Sequence, residues 1–330
     1  MARNTPGRPW RPRRRTRGST AMGSEHTVVY EGAESNGKHI VLVSGDEEYR
    51  SEEALPMLGK ILAVHHGFKC TVLFAIGEDG TIDPNARTNI PGLEALDNAD
   101  MMVIATRMRE LPDEQMKHII DYTNRGGPVA GLRTATHPFQ YAADSDSVYA
   151  KYTFNSKEFD GGYGRQVLGE TWVNHHGHHG HESTRGVVAA GAAGNPILHG
   201  VEDVWGPTDV YGITTLTGNA TVLLDGQVLV GMDPGDAPKA DTPTMPLAWI
   251  KEYTGDTGNS SRVFCTTMGA SIDLACEDLR RLVLNACCWC MGMEEHIPAR
   301  TVVDIVGSYE PTPFGFGTFT KGVRPSDLAL

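Results

Sequence analysis

The chain lacks any run approaching the ~18 apolar residues of a membrane-spanning helix, so no membrane span is expected. It is short of basic charge: 29 Lys and Arg stand against 41 Asp and Glu, a net of -12. Seven of those arginines fall within residues 1–24, which carry no acid, leaving 22 basic against 41 acidic side chains in the remaining 306 residues. So acidic a body repels a phosphate backbone, which excludes a general nucleic-acid binder. No predicted strand is followed by G-x-G-x-x-G, and no G-x-x-x-x-G-K-[ST] loop occurs, so no nucleotide cofactor is expected. Gly161-Gly162-Tyr163-Gly164 is too isolated to mark a nucleotide site. Cysteine is scarce. Cys287 and Cys290 have C-x-x-C spacing without the second pair that a zinc site needs. They lie in Leu279–Met291, a pattern that reads as a buried helix in which Cys acts as a small hydrophobe.

The basic leader, with Arg13-Arg14-Arg15, has no apolar segment after the charges; Gly18 to Glu25 is small and polar. An export signal requires such a segment. Residues 1–24 read as disordered, Met22 as an alternative start, and the protein as cytoplasmic. The expected organisation is a leader and lead-in over 1–37, one composite domain over 38–296, and an extended Pro/Gly/aromatic tail over 297–330.

Lys38–Gly45, Lys69–Phe74, Asp100–Thr106 and Pro128–Arg133 are short apolar runs typical of buried parallel strands. Ser51–His66 and Pro112–Arg125 between them have helical spacing, each followed by glycine. Alternating strands and helices predict an α/β fold: a doubly wound, mostly parallel sheet of the flavodoxin-like kind, with extra β strands and an extended tail. Ligands of such a sheet bind beyond the carboxyl ends of its strands. Residues 134–183 break the rhythm. Thr184–Ala190, Asp209–Thr215, Ala220–Val230, Pro246–Tyr253 and Arg262–Thr267 predict further strands, and Asp273–Met291 the last long helix.

Three clusters could carry chemistry. Five of the 13 histidines, His175, His176, His178, His179 and His181, fall within seven positions, next to Trp172. Imidazole is the commonest metal ligand, and the interspersed glycines let several rings converge; His175, His176, His178 and His179 are the ligands such a reading would use, for a divalent ion such as zinc. The same rings could serve as acid and base, or grip hydroxyl groups, or simply form a solvated loop. Asp46, Glu47, Glu48 and Tyr49 follow the first strand and so sit where the crevice should be. After the fourth strand comes Arg133-Thr134-Ala135-Thr136-His137, where hydrolases of this general topology present a nucleophile. Arg133 takes that place, so neither Ser nor Cys acyl transfer is supported. Arg107 and Arg109 follow the third strand.

Several segments together resemble the trehalose-utilisation (ThuA-like) family, a branch of the class I glutamine-amidotransferase-like fold. They are Ile40–Gly45, Met101–Thr106, Gly127–His137, and Pro246-Leu247-Ala248-Trp249 followed by Arg262–Gly269, with Arg280–Met293. Phe159–His181 and the tail Pro311-Thr312-Pro313-Phe314-Gly315-Phe316-Gly317 resemble a bacterial subgroup. The resemblance spans about 38–320 and implies disaccharide or keto-sugar metabolism, with a small-molecule sugar as ligand and a sugar dehydrogenase as partner. Members commonly carry His where this chain has Arg133 and end the last strand in Gly-His, where this chain has Gly269-Ala270-Ser271. Amidotransferase activity is therefore not expected.

Three readings follow. The first is a carbohydrate-active enzyme working by acid/base hydrolysis, elimination or isomerisation. Its catalytic groups would be Asp46, Glu48, Arg133, His137, His176 and His179, and its substrate contacts Tyr49, Arg107, Thr134, Trp172, His175 and His178. The second is a non-catalytic sugar-binding or dehydrogenase-partner module. The third is a metal-dependent hydrolase of another substrate.

Overall fold

The computed structural model describes residues 25–330. The expectations of a disordered leader and of a start at Met22 fall on residues outside that range.

Ten strands form one sheet: β1 (Thr27–Tyr30), β2 (His39–Gly45), β3 (Lys69–Leu73), β4 (Met101–Thr106), β5 (Val129–Leu132), β6 (Thr184–Val188), β7 (Val204–Gly206), β8 (Thr221–Val228), β9 (Met245–Thr254) and β10 (Ser260–Thr266). Their order across the sheet is β1-β3-β2-β4-β5-β10-β9-β8-β6-β7. The helices are α1 (Ser51–His66), α2 (Asp113–Asn124) and α3 (Glu277–Cys290). The expectation of a mostly parallel sheet needs correction. Strands β3-β2-β4-β5-β10 run parallel, but the five remaining pairings are antiparallel. The fold is mixed α/β. Across the sheet from β10 to β7 every pair of neighbours is antiparallel, and direct returns such as β9 to β10 need no crossover helix.

In the parallel half, Ile40, Leu42 and Val103 pack with α1 and α3 in one core. Val41, Val43 and Ile104 face the other way, with α2. That two-sided burial is why these strands read as unbroken apolar runs. Helix α1 starts with Glu52 and Glu53 in its first turn and stops at Gly67, whose φ of 72° lets its N–H cap Ala63 O.

Other expectations shift. Asp209–Thr215 forms no strand; Tyr211 makes a single bridge to His175. There Gly212 is needed for close approach, since a Cβ would lie 2.0 Å from Asn174 Oδ1. Residues 273–291 are not one helix; a 3-10 turn at Asp273–Ala275 precedes α3. The sheet also gains β1, ahead of the expected boundary at 38, and β7.

The tail, largely without regular elements, is tied to the body by hydrogen bonds. Tyr309 Oη donates to Ser271 O at 2.7 Å. The Thr312 N–H and hydroxyl donate to the two oxygens of Glu53 at 2.9 and 2.6 Å. Gly315 N–H donates to Glu48 O at 2.7 Å. The buried Arg50 guanidinium donates to Gly315 O and, at 2.7 Å, to Thr318 Oγ1. The tail is thus bonded to the loop that follows β2.

Candidate functional site

Parallel strands β2, β4, β5 and β10 end on one edge, and the loops after them meet there. Backbone strain collects at the same place. Among the described residues four non-glycine side chains have φ in the left-handed region, and three of them, Arg50, Met108 and Arg133, follow β2, β4 and β5. Each such conformation costs on the order of 1–3 kcal/mol and persists only where the surroundings enforce it.

Arg133, with φ 45°, occupies the sharp turn after β5 and is only 1 % exposed. Its Nη1 donates to Asp209 O at 2.5 Å and Thr267 O at 2.7 Å. Its Nη2 donates to Tyr49 Oη at 3.1 Å and Asp209 Oδ1 at 3.2 Å. The guanidinium lies between the Tyr49 and Tyr211 rings, 4.4 and 4.1 Å from their centroids. So enclosed, it holds Asp209 and does not reach into solvent.

Asp209 is the centre of the site. Its Oδ2 lies 2.7 Å from His175 Nδ1 and its Oδ1 2.8 Å from His179 Nδ1. Burial alone would raise its pKa, but the Arg133 charge and the two imidazole hydrogen bonds outweigh burial and hold the carboxylate well below its ordinary range. The two imidazole rings sit 4.5 Å apart between centroids. His179 Nε2 lies 3.4 Å from Glu48 Oε1. Hydrogen bonds to Asp209 and then Glu48, against a smaller effect of burial, raise His179 to about 9, so it is an imidazolium at neutral pH. Glu48 feels burial most strongly, yet its bond to His179 and the charge of Arg107 leave it below the usual carboxylate value. Its Oε2 is 3.2 Å from Arg107 Nε. His175 bonds through Nδ1 to Asp209 and is one-third exposed. This bond engages Nδ1 and leaves Nε2 as the ring nitrogen available to a ligand.

Other expected residues build the frame. Asp46 is buried; its Oδ1 accepts the Glu48 and Tyr49 N–H groups at 2.8 and 3.1 Å, and its Oδ2 accepts the Thr134 hydroxyl at 2.6 Å. Both its oxygens are engaged in fixing the turn after β2 to the turn after β5. Burial pushes Tyr49 up to about 12, so it stays a phenol. His137 is enclosed by Phe154, Trp172 and Tyr211, with Nδ1 3.1 Å from Thr136 Oγ1. Burial first, then the Arg107 and Arg133 charges, lower its pKa well below the ordinary value and keep it neutral. Trp172 packs 5.8 Å from His137 and 5.7 Å from His175.

The His-rich loop divides. His175 and His179 enter the site. His176 does not: its Nε2 is 2.7 Å from Pro243 O. His178 is exposed and stacks on His181 at 4.4 Å. Neither His176 as catalyst or ligand nor His178 as substrate contact or ligand fits this placement. Five rings on a short loop cannot all face one point; the bridge at His175 and the bond of His178 N–H to Glu182 Oε2 set which do.

No family model matches the chain, and no curated protein sequence matches it. Among solved structures, a crystal structure from Parabacteroides merdae ATCC 43184 described as ThuA-like is similar at 15 % identity and a TM-score of 0.47. The match covers 77 % of this chain and 90 % of that one. An identity so low assigns no residue a role.

Three site residues escape the sequence reading. Asp209 and Tyr211 sit in a stretch that reads as a strand, where an acid at the start looks like an edge. Phe314 comes from the tail; its ring lies 5.0 Å from His179 and 5.5 Å from Tyr49. The one signal for it was the aromatic spacing of Pro313-Phe314-Gly315-Phe316.

Proposed function

We propose that the site performs proton transfer on a small carbonyl-bearing sugar, an elimination or isomerisation that needs no covalent nucleophile. The observation that carries this reading is the single carboxylate of Asp209 accepting Nδ1 of both His175 and His179. His175, bonded to Asp209 at Nδ1, has its Nε2 left over for a substrate, and the charged His179 ring lies beside it. A base and an acid held side by side on one carboxylate are the parts that proton transfer needs. His175 Nε2 takes the proton from the carbon beside the substrate carbonyl. The His179 imidazolium, backed by Glu48 and Asp209, stabilises the oxyanion that forms and returns a proton. Trp172 and Phe314 stand on either side of the imidazole pair, next to His175 and His179. Aromatic faces with a carboxylate and an arginine suit the mixed apolar and hydroxylated faces of a sugar ring. The motif resemblance supports the same substrate class, with a sugar dehydrogenase as supplier of the keto group. The six unpaired cysteines accord with a reducing compartment, the cytoplasm. Among the described residues no helix is long and apolar enough to cross a membrane.

The test is deuterium uptake from D₂O into keto-disaccharides, with product analysis. The wild type should exchange and turn over; His175→Gln should lose about 10²-fold or more in rate while its fold, read by circular dichroism, is retained. Calorimetric sugar binding without exchange or turnover would instead mark a sugar-binding module.

A second reading has its own observation. His175, His179 and Asp209 offer ligand atoms within 4.8 Å of one another, a two-histidine, one-carboxylate set that fits a divalent ion such as zinc or iron. When bound, that ion would act as a Lewis acid on a carbonyl or on water. Elemental analysis of tag-free protein decides it: about one equivalent of a transition metal supports this reading, and less than ~0.1 equivalent removes it.

A further inference from the structure

We propose that Phe316 and Arg107 form a second glycosyl subsite beside the imidazole pair. The site then takes a disaccharide: one ring reacts at His175 and His179, and its neighbour stacks on Phe316. The inference rests on the carbohydrate reading of the site and adds the size of sugar it selects.

The first observation is exposure. Phe316 is 60 % exposed, whereas every other phenylalanine, tyrosine and tryptophan among the described residues is at least partly covered. The second is how that ring is held. Arg107 Cζ lies 5.1 Å from its centroid, so the guanidinium takes one face and the exposed remainder is open to a ligand. The preceding residue, Gly315, is fixed from both sides. Its N–H donates to Glu48 O at 2.7 Å, and its carbonyl accepts from Arg50. Its φ of 142° is a conformation that residues with a side chain rarely adopt. Phe316 is thus carried on an anchored segment, and an aromatic face fixed in advance loses little freedom when a ligand settles on it.

The third observation is placement. Contacts lead outward from the imidazole pair in steps. His179 Nε2 is 3.4 Å from Glu48 Oε1, Glu48 Oε2 is 3.2 Å from Arg107 Nε, and Arg107 lies on Phe316. Phe316 therefore stands two side chains beyond His179, past the ring that reacts and in place for the next one. Arg107 also has a donor to offer. Its Nη1 is 2.5 Å from Glu47 Oε1 and its Nε faces Glu48, but among the described residues Nη2 has no hydrogen-bond partner. The chemistry of a pyranose matches this pair. Its C–H face suits an aromatic face, and its hydroxyl rim suits a planar N–H donor. An anionic ligand suits it poorly, because the Glu47 and Glu48 carboxylates already balance the Arg107 charge.

The experiment is calorimetric binding of maltose and of glucose, neither of which carries a keto group, to the full chain. Wild type, Phe316→Ala, Phe316→Leu and Phe316→Trp are compared, with circular dichroism as the check on folding. Wild type should bind maltose about tenfold more tightly than glucose, and Phe316→Ala should bring that ratio close to one. Leucine is apolar but has no π-face, and should lose most of the preference; tryptophan should keep or increase it. A wild type without preference overturns the proposal, as does a preference that survives in both the alanine and leucine variants. Should alanine fail to fold, leucine decides. A preference lost with the Phe316 ring, in a protein that exchanges no deuterium into keto-disaccharides, would keep the subsite and reject proton transfer. Exchange in a wild type that shows no preference would do the reverse.

Discussion

Replacing Asp209 by Asn tests the centre of the site most directly. The substitution keeps shape but removes the charge that faces Arg133 and turns one acceptor into an NH₂ donor. That donor then points at an imidazole Nδ1 that had itself been donating. Either His175 or His179 must reverse its tautomer or lose the bond. The magnitude follows from His179. Its folded pKa of about 9 lies above the unfolded value near 6.5. A raised folded value stabilises fully below the unfolded pKa and is lost as pH climbs through the folded one, so the window is roughly pH 6.5 to 9. At ~1.36 kcal/mol per unit the ceiling is ~3 kcal/mol; with about a third of the side chain exposed, screening brings it to ~1–2 kcal/mol. Wild-type stability from urea unfolding should therefore fall by ~1–2 kcal/mol between pH 6.5 and 9 beyond the change seen in Asp209→Asn. Asp209→Asn should also be less stable at pH 7 by ~3 kcal/mol or more, because Arg133 is left as a buried charge without its counter-ion. Parallel pH profiles in the two proteins would refute the hydrogen-bonded pairing on which the site rests.

Other outcomes are expected on the same ground. Thr134→Val removes the hydroxyl that bonds the buried Asp46 carboxylate and should cost ~1–3 kcal/mol in denaturant unfolding, with the loss growing above the Asp46 pKa. Glu52 is pushed up to about 7 by burial, only partly offset by Arg50, so it favours folding when protonated and loses that contribution as pH rises from the unfolded value near 4.3 through about 7. Glu52→Gln should match the wild type at pH 4 and exceed it at pH 8 in thermal unfolding. Loss of the catalytic rate in His175→Gln completes the set.

How much could be read in advance follows the range of the interactions. Strands β2, β4 and β5, with α1, were legible because burial on both faces leaves a run such as Ile40-Val41-Leu42-Val43 with no polar break. Their strand ends placed Glu48, Arg107 and Arg133 on one edge of the sheet, where the structure has them close together. The antiparallel half was legible as strands but not as an arrangement. Nothing local in Thr221–Val228 says that it lies between β6 and β9. The histidine loop was visible by composition alone, and composition does not say which rings turn inward. That depends on Asp209, some 30 residues away, whose partners are fixed by tertiary contact. The bonds of the extended tail were not legible for a related reason: Pro and Gly suppress secondary structure, and no local pattern says which distant groups such a segment will meet.

The bend after β5 carries a consequence for redesign. In enzymes where that corner lifts a reactive atom, exchanging one side chain changes the chemistry and little else. Here the same corner is a clamp, and what it clamps is the acid that orients both imidazoles. Installing a thiol or hydroxyl at position 133 would restore the outline of an acyl-transfer machine while releasing the parts this one depends on. A conversion would have to supply a new anchor for Asp209 first, so the two chemistries are separated by at least two coordinated changes and not by one.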